Sequence, residues 1–550
     1  MARKLVLCFL ALLVALSASA QQFLKVYQDA GNLPQFGFVH EPTNDGGFVL
    51  AGYEGNSGSE DALLLKLNAT GTVVFAKRLA GSATDLLFSA QQTADGGYVA
   101  SGFSRSFASD PMSGDVVVVK TDASGNLSWL RTLGNPLAPP VTDRFEFGYD
   151  IRQTSDTGYI VAGQTSSQWP NLGQDDAWLV KLDNSGNTVW ARAYGNVAGS
   201  GSDRAYSVRQ TSDGGYVFVG ATTNDLGQDD IWLVRVDSSG TPLWGLVVGS
   251  TAADWGLSVV ETGDGGFAVA GYTQAFADRD GVVFKTDGNG NMQWLRVLDL
   301  GQNEQLSSIR ELPSGDLVAV GTSGNLPPPP SKAWIVTLSS SGAVINSFTY
   351  APSVATASFF SVRPAAGGFS VLGQAAAQGS DSNLLFGLLD ASGSIVSCAS
   401  PVSPTSRGPL GYGSRGVTSY GTTPENALYA PGLGNVTFTE ATLCATVTVN
   451  VSWTPPAGGS VVCVPNPVPY GNPTMCTISV NPGYFLANFN STCGGSLSGL
   501  VYTSGPITAP CNVTAVFQAI EPIPTLTSWG LLALLATLGT VGILLLRIRG

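Results

Sequence analysis

Two patterns of apolar and polar positions alternate between residues 23 and 397. The first is a hairpin, read seven times as TNDGGFVLAG, TADGGYVASG, TSDTGYIVAG, TSDGGYVFVG, TGDGGFAVAG, LPSGDLVAVG and PAAGGFSVLG. It closes on Gly52, Gly102, Gly163, Gly220, Gly271, Gly321 and Gly373, at spacings of roughly fifty to sixty residues. Asp-Gly supplies the positive-φ positions of a tight turn, where glycine has no Cβ to clash. The second pattern is a continuous apolar run followed by a polar turn: DALLLKLNATG, DVVVVKTDASG, DAWLVKLDNSG, DIWLVRVDSSG, DGVVFKTDGNG, KAWIVTLSSSG and NLLFGLLDASG. An aromatic residue often opens the next strand, as Trp129, Trp190, Trp244 and Trp294 do.

With a strand before each hairpin, such as YSVRQ (Tyr206 to Gln210), each repeat predicts a four-stranded meander. Runs such as VVVV (Val116 to Val119) and IWLV (Ile231 to Val234) do not alternate, which is expected of strands buried on both faces. Seven such units predict a seven-bladed β-propeller over residues 21–397. A stacked solenoid is the competing architecture, but a closed ring leaves no unpaired end. FLKVY (Phe23 to Tyr27) reads as a fourth strand placed before the first repeat, suited to complete the last blade and clasp the ring.

In a meander the first and third connections lie at one end and all others at the opposite end. The short DGG and DxSG turns therefore share one face, and long loops such as QTSSQWPNLGQDD and GNPLAPPVTDRFEFG share the other. That loop face is acidic. Asp61, Asp115, Asp176, Asp230 and Asp280 precede the third strands, where Lys332 and Asn383 break the series, and Asp85, Glu146, Asp203, Asp254 and Glu304 open the first strands. The plain reading is carboxylates accepting from loop amides. The sharper one is a ring of acid that binds calcium or a cationic partner, with Asp176, Asp230 and Asp280 as candidate ligands. DGNGN (Asp287 to Asn291) resembles half a calcium loop but occupies the turn position of its repeat.

Composition narrows the function classes. The chain has 550 residues with a formal charge of −13, which argues against nucleic acid as a partner. Its 24 Phe, 16 Tyr and 11 Trp provide for a large core. Arg3 and Lys4, the apolar LVLCFLALLVAL and Ala18-Ser19-Ala20 form a secretory signal peptide over residues 1–20, directing the chain to Sec export with cleavage after Ala20. Six cysteines remain: Cys398, Cys444, Cys463, Cys476, Cys493 and Cys511. All lie in the last third, where an oxidising compartment favours disulfides. At the C-terminus, WGLLALLATLGTVGILLL (Trp529 to Leu546) is long enough to span a bilayer, with Arg547 and Arg549 beyond it.

The single histidine, His40, aligns with apolar Ile151, Val208 and Val259 and is read as a buried strand residue. A Ser-His-Asp triad would need it, and no G-x-S-x-G elbow is present. Catalytic residues are therefore expected to be none and resident cofactors none, calcium apart. Residues 398–445 are rich in Pro, Gly and Ser without clear periodicity and read as a linker or irregular cap, with a Cys398–Cys444 bridge as one option. Residues 446–518 begin a new pattern of short strands small enough to need staples, for which Cys463–Cys476 with Cys493–Cys511 is the preferred of fifteen pairings. An immunoglobulin-like module is the alternative reading of this region.

Three resemblances accompany these patterns. DAWLVKLDNSGNTVW with its DGGYVVAG-like hairpin is similar to the bacterial seven-bladed β-propeller repeat called SBBP, which implies architecture more than activity. GGSVVCVPNPV, TISVNPGYFLANF and CNVTAVF resemble the InlB B-repeat modules of bacterial surface proteins, which implies a small β-grasp-like spacer or adhesive unit. IPTLTSWG, the apolar span and the basic tail, residues 519–550, resemble the IPTL-type sorting signal of Gram-negative bacteria. The matching positions are Ile523, Pro524, Thr525, Leu526, Trp529, Gly530, Arg547 and Arg549, and the resemblance implies an exosortase-like membrane peptidase as partner. The expected function is a surface-displayed, non-enzymatic scaffold that binds polysaccharide, extracellular matrix or a surface protein through the loop face. The alternative is an exported enzyme, either glycan-active or quinoprotein-like, because DxSGN…W also resembles a tryptophan-docking element.

Overall fold

The computed structural model describes residues 22–520 except 30–32, 109–112, 135–144, 167–174, 196–200, 224–227, 325–330, 351–355, 366, 377–381, 395–398 and short breaks between 408 and 509. These residues are almost entirely strand and divide into two compact units between Ala445 and Thr446.

The first unit is a ring of seven antiparallel sheets, a β-propeller-like repeat fold. Blade 1 consists of Gln35–Pro42, Phe48–Glu54, Asp61–Leu67 and Val73–Leu79, hydrogen-bonded in chain order. Blades 2 to 6 repeat this over 85–134, 147–195, 203–249, 254–299 and 304–350. Blade 7 takes three strands from 356–390 and its fourth from the N-terminus, with Phe23 opposite Leu388 and Tyr27 opposite Leu384. The first strand of each blade packs on that of the next, and blade 7 on blade 1, so the ring closes. The sequence expectation for FLKVY is met.

The second and third strands of a blade are buried along their whole length, as Tyr98–Ser104 and Asp115–Thr121 illustrate. The apolar clusters form between sheets: Val116, Val118 and Leu133 of blade 2 pack on Ile151, Val161 and Trp178 of blade 3. Each fully buried Val or Leu contributes about 1.5–3 kcal/mol, which is why these runs do not alternate.

The glycine that marks every repeat has a specific cause. Each first strand carries a β-bulge, at Phe38, Phe88, Tyr149, Tyr206, Leu257, Ser307 and Phe360. Beside the bulge, the first strand's carbonyl oxygen (that of Phe36 in blade 1, Arg204 in blade 4) presses against the second strand. A Cβ on Gly52 or Gly220 would overlap it. Glycine is required there for close approach, and the bulge re-aims the side chain that follows.

Two contacts explain the rest of the repeat. The aspartate of the DGG turn pairs with a buried cation on the third strand: Asp45 with Lys66, Asp95 with Lys120, Asp156 with Lys181, Asp213 with Arg235 and Asp264 with Lys285. Blades 6 and 7 have Thr337 and Leu388 at the cation's position and lack the aspartate as well, so both partners are missing together. In blades 1 to 5 an aromatic follows the turn after the third strand and packs on the turn glycine of the next blade, as Trp129 does on Gly186 and Trp294 on Gly342. Asp287 of DGNGN accepts from the Asn289 and Asn291 amides at 2.9 Å, so that stretch is a turn.

The stretch 398–445, expected to be a linker or cap, is instead largely a belt. Ala399–Pro401, Thr405–Ser406, Gly411–Ser414, Thr418–Thr422, Glu425–Tyr429 and Gly434–Asn435 add a fifth strand to blades 6, 5, 4, 3, 2 and 1 in turn. Phe438 to Ala445 then add alongside Phe23–Asp29 of blade 7. An outer-edge strand pairs through backbone groups alone, so it needs no apolar alternation, and two to five residues per blade suffice.

The second unit contains two small sheets. Val449–Thr454 runs parallel to Cys511–Ala519, which pairs antiparallel with Tyr484–Ser491. Gly459–Val464, Met475–Val480, Val501–Thr503 and Ser496–Ser498 form the other. Its core gathers Val461, Ile478, Tyr502, Val513 and Phe517 around the disulfides Cys463–Cys476 and Cys493–Cys511, the pairing expected. Cys398, the signal-peptide residues Ala18 and Ala20, and the C-terminal motif from Ile523 to Arg549 lie outside the described residues, as does the side chain of Cys444. Among the described residues, no helix is long and apolar enough to cross a membrane.

Candidate functional site

The loop end of the ring carries the acids that the sequence placed there. Asp61, Asp115, Asp176, Asp230 and Asp280 sit at one register position, opposite Glu54, Ser104, Thr165, Thr222 and Thr273, with Lys332 and Asn383 completing the series. Asp61, Asp176, Asp230 and Asp280 lie beside Asp85, Asp203, Asp254 and Glu304, the acids that open the next blades' first strands, so carboxylates meet across these seams.

The two members of a seam behave differently. First-strand acids accept hydrogen bonds: Asp85 from Ser104 at 2.5 Å, Asp254 from the Ser250 amide at 2.7 Å, and Glu304 from Ser323 at 2.8 Å. The plain reading holds for these. Asp176 is fully buried, and neither of its oxygens has a hydrogen-bond partner among the described residues. Burial, with the charges of Asp203 and Asp175 beside it, pushes its carboxyl up to about 8. Burial likewise raises Asp280 to about 7 and Asp254 to about 6. Asp230 is also buried, in the same row.

One seam shows what such a place accepts. Asp278, Asp280 and Asp299 bring carboxylate oxygens within 4.8 Å of one another. Arg407 of the belt reaches all three, at 2.9, 3.2 and 2.9 Å. A guanidinium supplies the positive charge there. Next to it, a cleft of about 690 Å³ opens between blades 5 and 6 and the belt, lined among others by Asp299, Ser323, Lys332 and Val402.

The ring axis holds charge that the sequence reading passed over. Glu41, Gln91, Arg152, Arg209, Val260, Arg310 and Arg363 occupy one register position on the seven first strands. Arg363 binds both oxygens of Glu41, at 2.7 and 2.6 Å, and Arg152 shares that carboxylate. Asp150 takes Arg209 at 2.7 Å and Arg152 at 3.0 Å. Arg310 reaches Glu41 only at 3.8 Å and otherwise donates to the carbonyl of its own neighbour Ile309. The guanidiniums hold Glu41 well below the usual carboxylate range and Asp150 at about 2, so both are ionised. The bulge residues line the axis on the loop side of this tier. Joined by Phe36 and Trp255, their aromatic members run as touching rings from Phe360 through Phe36, Phe38, Phe88, Tyr149 and Tyr206 to Trp255, with neighbouring centroids 4.7–5.7 Å apart. The signal in the sequence was an arginine in the same place of four repeats, in IRQ, VRQ, IRE and VRP.

His40 is fully buried between blades 1 and 7, with Nε2 2.8 Å from the Ser370 hydroxyl and its ring against Phe48 and Phe386. Burial and the nearby Arg363 keep it neutral, well below its ordinary value.

No protein-family model matches the chain, and no curated protein is significantly similar to it. Solved structures with a similar chain path include Sqt1 from Chaetomium thermophilum, at 11% identity and TM-score 0.37, covering 66% of this chain and 97% of that one. A Dyadobacter fermentans protein of unknown function gives 11% and 0.38 over 66% and 97%, and one from Bacteroides caccae 12% and 0.33 over 59% and 92%. The propeller-like assignment rests on the strand pairing of this chain itself.

Proposed function

We propose that this chain is an exported, surface-sorted scaffold that binds polysaccharide, extracellular matrix or a surface protein through the loop end of its ring, with calcium seated in the carboxylate seams. The SBBP-like repeats, the InlB-like stapled module and the IPTL-like tail would serve display, processed by an exosortase-like peptidase. The observation that carries the reading is Asp176: a buried carboxyl with no hydrogen-bond partner among the described residues, beside a second acid, gains most from a hard cation that takes several oxygens. The Arg407 seam supports it, since a cation of the chain's own fills the equivalent place. The test is co-sedimentation of the full-length protein with exopolysaccharide from the producing cells, with calcium and with chelator. Retention that chelator abolishes is expected; retention indifferent to chelator would remove calcium from the reading, and no retention would remove the glycan.

A second reading, an exported glycan-active enzyme, draws on the cleft beside Lys332 and on the adjoining seam, where burial raises the Asp280 carboxyl to about 7. Release of soluble sugar in the same mixture would favour it. The quinoprotein-like variant shares the packing of tryptophans on the next blade's turn with a purely structural role.

A further inference from the structure

The axial tier contains four guanidiniums and two carboxylates, an excess of two positive charges on side chains that are only 3–16% exposed. Arginine does not shed its proton under ordinary conditions, so this excess has no internal remedy. The other acids near this end of the first strands are used elsewhere: Glu261 accepts from the Ser212 amide and Glu311 from that of Gly263, each capping the neighbouring blade's turn. Ser89 and the Val208 amide add donors around Asp150 but no negative charge.

We propose that the axial tier is a binding site for a small doubly charged oxyanion, phosphate or sulfate, centred on Arg310 and shared by Arg209, Arg152 and Arg363. The charge matches the excess, and the planar forks of arginine match tetrahedral oxyanions through paired N–H donors. Arg310 is the anchor because it is the member whose charge Glu41 and Asp150 satisfy least. The ring of Phe38, Phe88, Tyr149, Tyr206 and Phe360 forms an apolar collar toward the loop end. The low exposure of these side chains strengthens each contact. A sugar carrying the oxyanion would stack on that collar, while a free ion would not use it. The site stands independently of glycan or calcium binding at the seams.

The test uses the full-length protein in chloride buffer, titrated with sodium phosphate, sodium sulfate and glucose 6-phosphate in calorimetry and in thermal melts, with sodium chloride at matched ionic strength as reference. One saturable site and a Tm that climbs with the logarithm of oxyanion concentration are expected. Arg310→Gln should weaken binding by at least about tenfold. In chloride it should melt at or above the wild-type temperature, because it relieves repulsion. That combination separates loss of a site from loss of the fold. Tighter binding of glucose 6-phosphate than of phosphate would assign the oxyanion to a sugar substituent, and equal or weaker binding to the free ion. Oxyanions that shift Tm no more than chloride does, or that shift Arg310→Gln as much as wild type, would overturn the proposal.

Discussion

The seams and the axis are two places where one ring buries like charges, and they differ in the way out. At the seams the excess is negative and carried by carboxyls, which can take up a proton; Asp176, Asp254 and Asp280 are displaced in that direction. At the axis the excess is positive and carried by guanidiniums, which cannot release one on any useful scale. Burial and mutual repulsion press Arg209 down to about 10 and Arg310 well below its ordinary value, a strain that an anion would relieve because the guanidinium holds its proton so firmly. A seam can therefore exist with or without a cation, depending on pH, whereas the axis needs a counter-ion at every physiological pH.

The comparison can be broken most forcefully at Glu41. Glu41→Gln removes the carboxylate shared by Arg152 and Arg363 and leaves buried charge uncompensated, at an expected loss of about 3–5 kcal/mol in chemical denaturation. Next is Asp176→Asn. The folded carboxyl titrates near 8 and the unfolded one near its ordinary value, so the folded state holds the proton more tightly. Its contribution is complete below the unfolded value and is lost as pH rises toward 8. Wild type should thus melt lower at the alkaline end of that window. The asparagine variant should flatten the slope and gain about 1–3 kcal/mol there, and calcium should erase the difference. If melting is flat across the window in wild type, the seams do not carry buried charge.

A smaller effect is expected from Arg407→Gln. With the guanidinium gone, Asp278, Asp280 and Asp299 should bind one further calcium ion, read by calorimetric stoichiometry at alkaline pH; an unchanged stoichiometry would separate this seam from the others. The smallest belongs to His40→Val, which copies the aligned repeats. His40 is held below its ordinary value, so its burial costs stability as pH falls through that value. The valine variant should match wild type at neutral pH and melt above it at acidic pH, opposite in sign to the pH slope of the seams.

The repeat, the turn chemistry, the clasp strand and the stapled cysteine pairs were legible in the sequence because each writes itself in several residues: an Asp-Gly pair, an apolar run, an even set of cysteines. The seam acids were legible as a series, but not the division between Asp254, which its loop amide supports, and Asp176, which no donor among the described residues supports; that depends on where backbone N–H groups end up. The axial tier was missed because single arginines in four of the seven repeats, fifty or more residues apart, gain meaning only when the first strands converge. The belt was missed for the opposite reason. Strands such as Thr405–Ser406 and Gly434–Asn435 are held by backbone pairing, and side-chain patterning does not report them.

The belt also sets a timetable. The chain emerges N-terminus first, lays down blades 1 to 7 in order, and then circles back past the outer edges of blades 6, 5, 4, 3, 2 and 1 before covering that of blade 7. Until residue 399 and those after it have arrived, all seven outer edges stand open as templates for other chains. Synthesis of roughly the last fifty residues of this unit closes them one after another. A single protease cut near the start of that segment would not remove a blade; it would leave the cover of every edge held by backbone pairing alone.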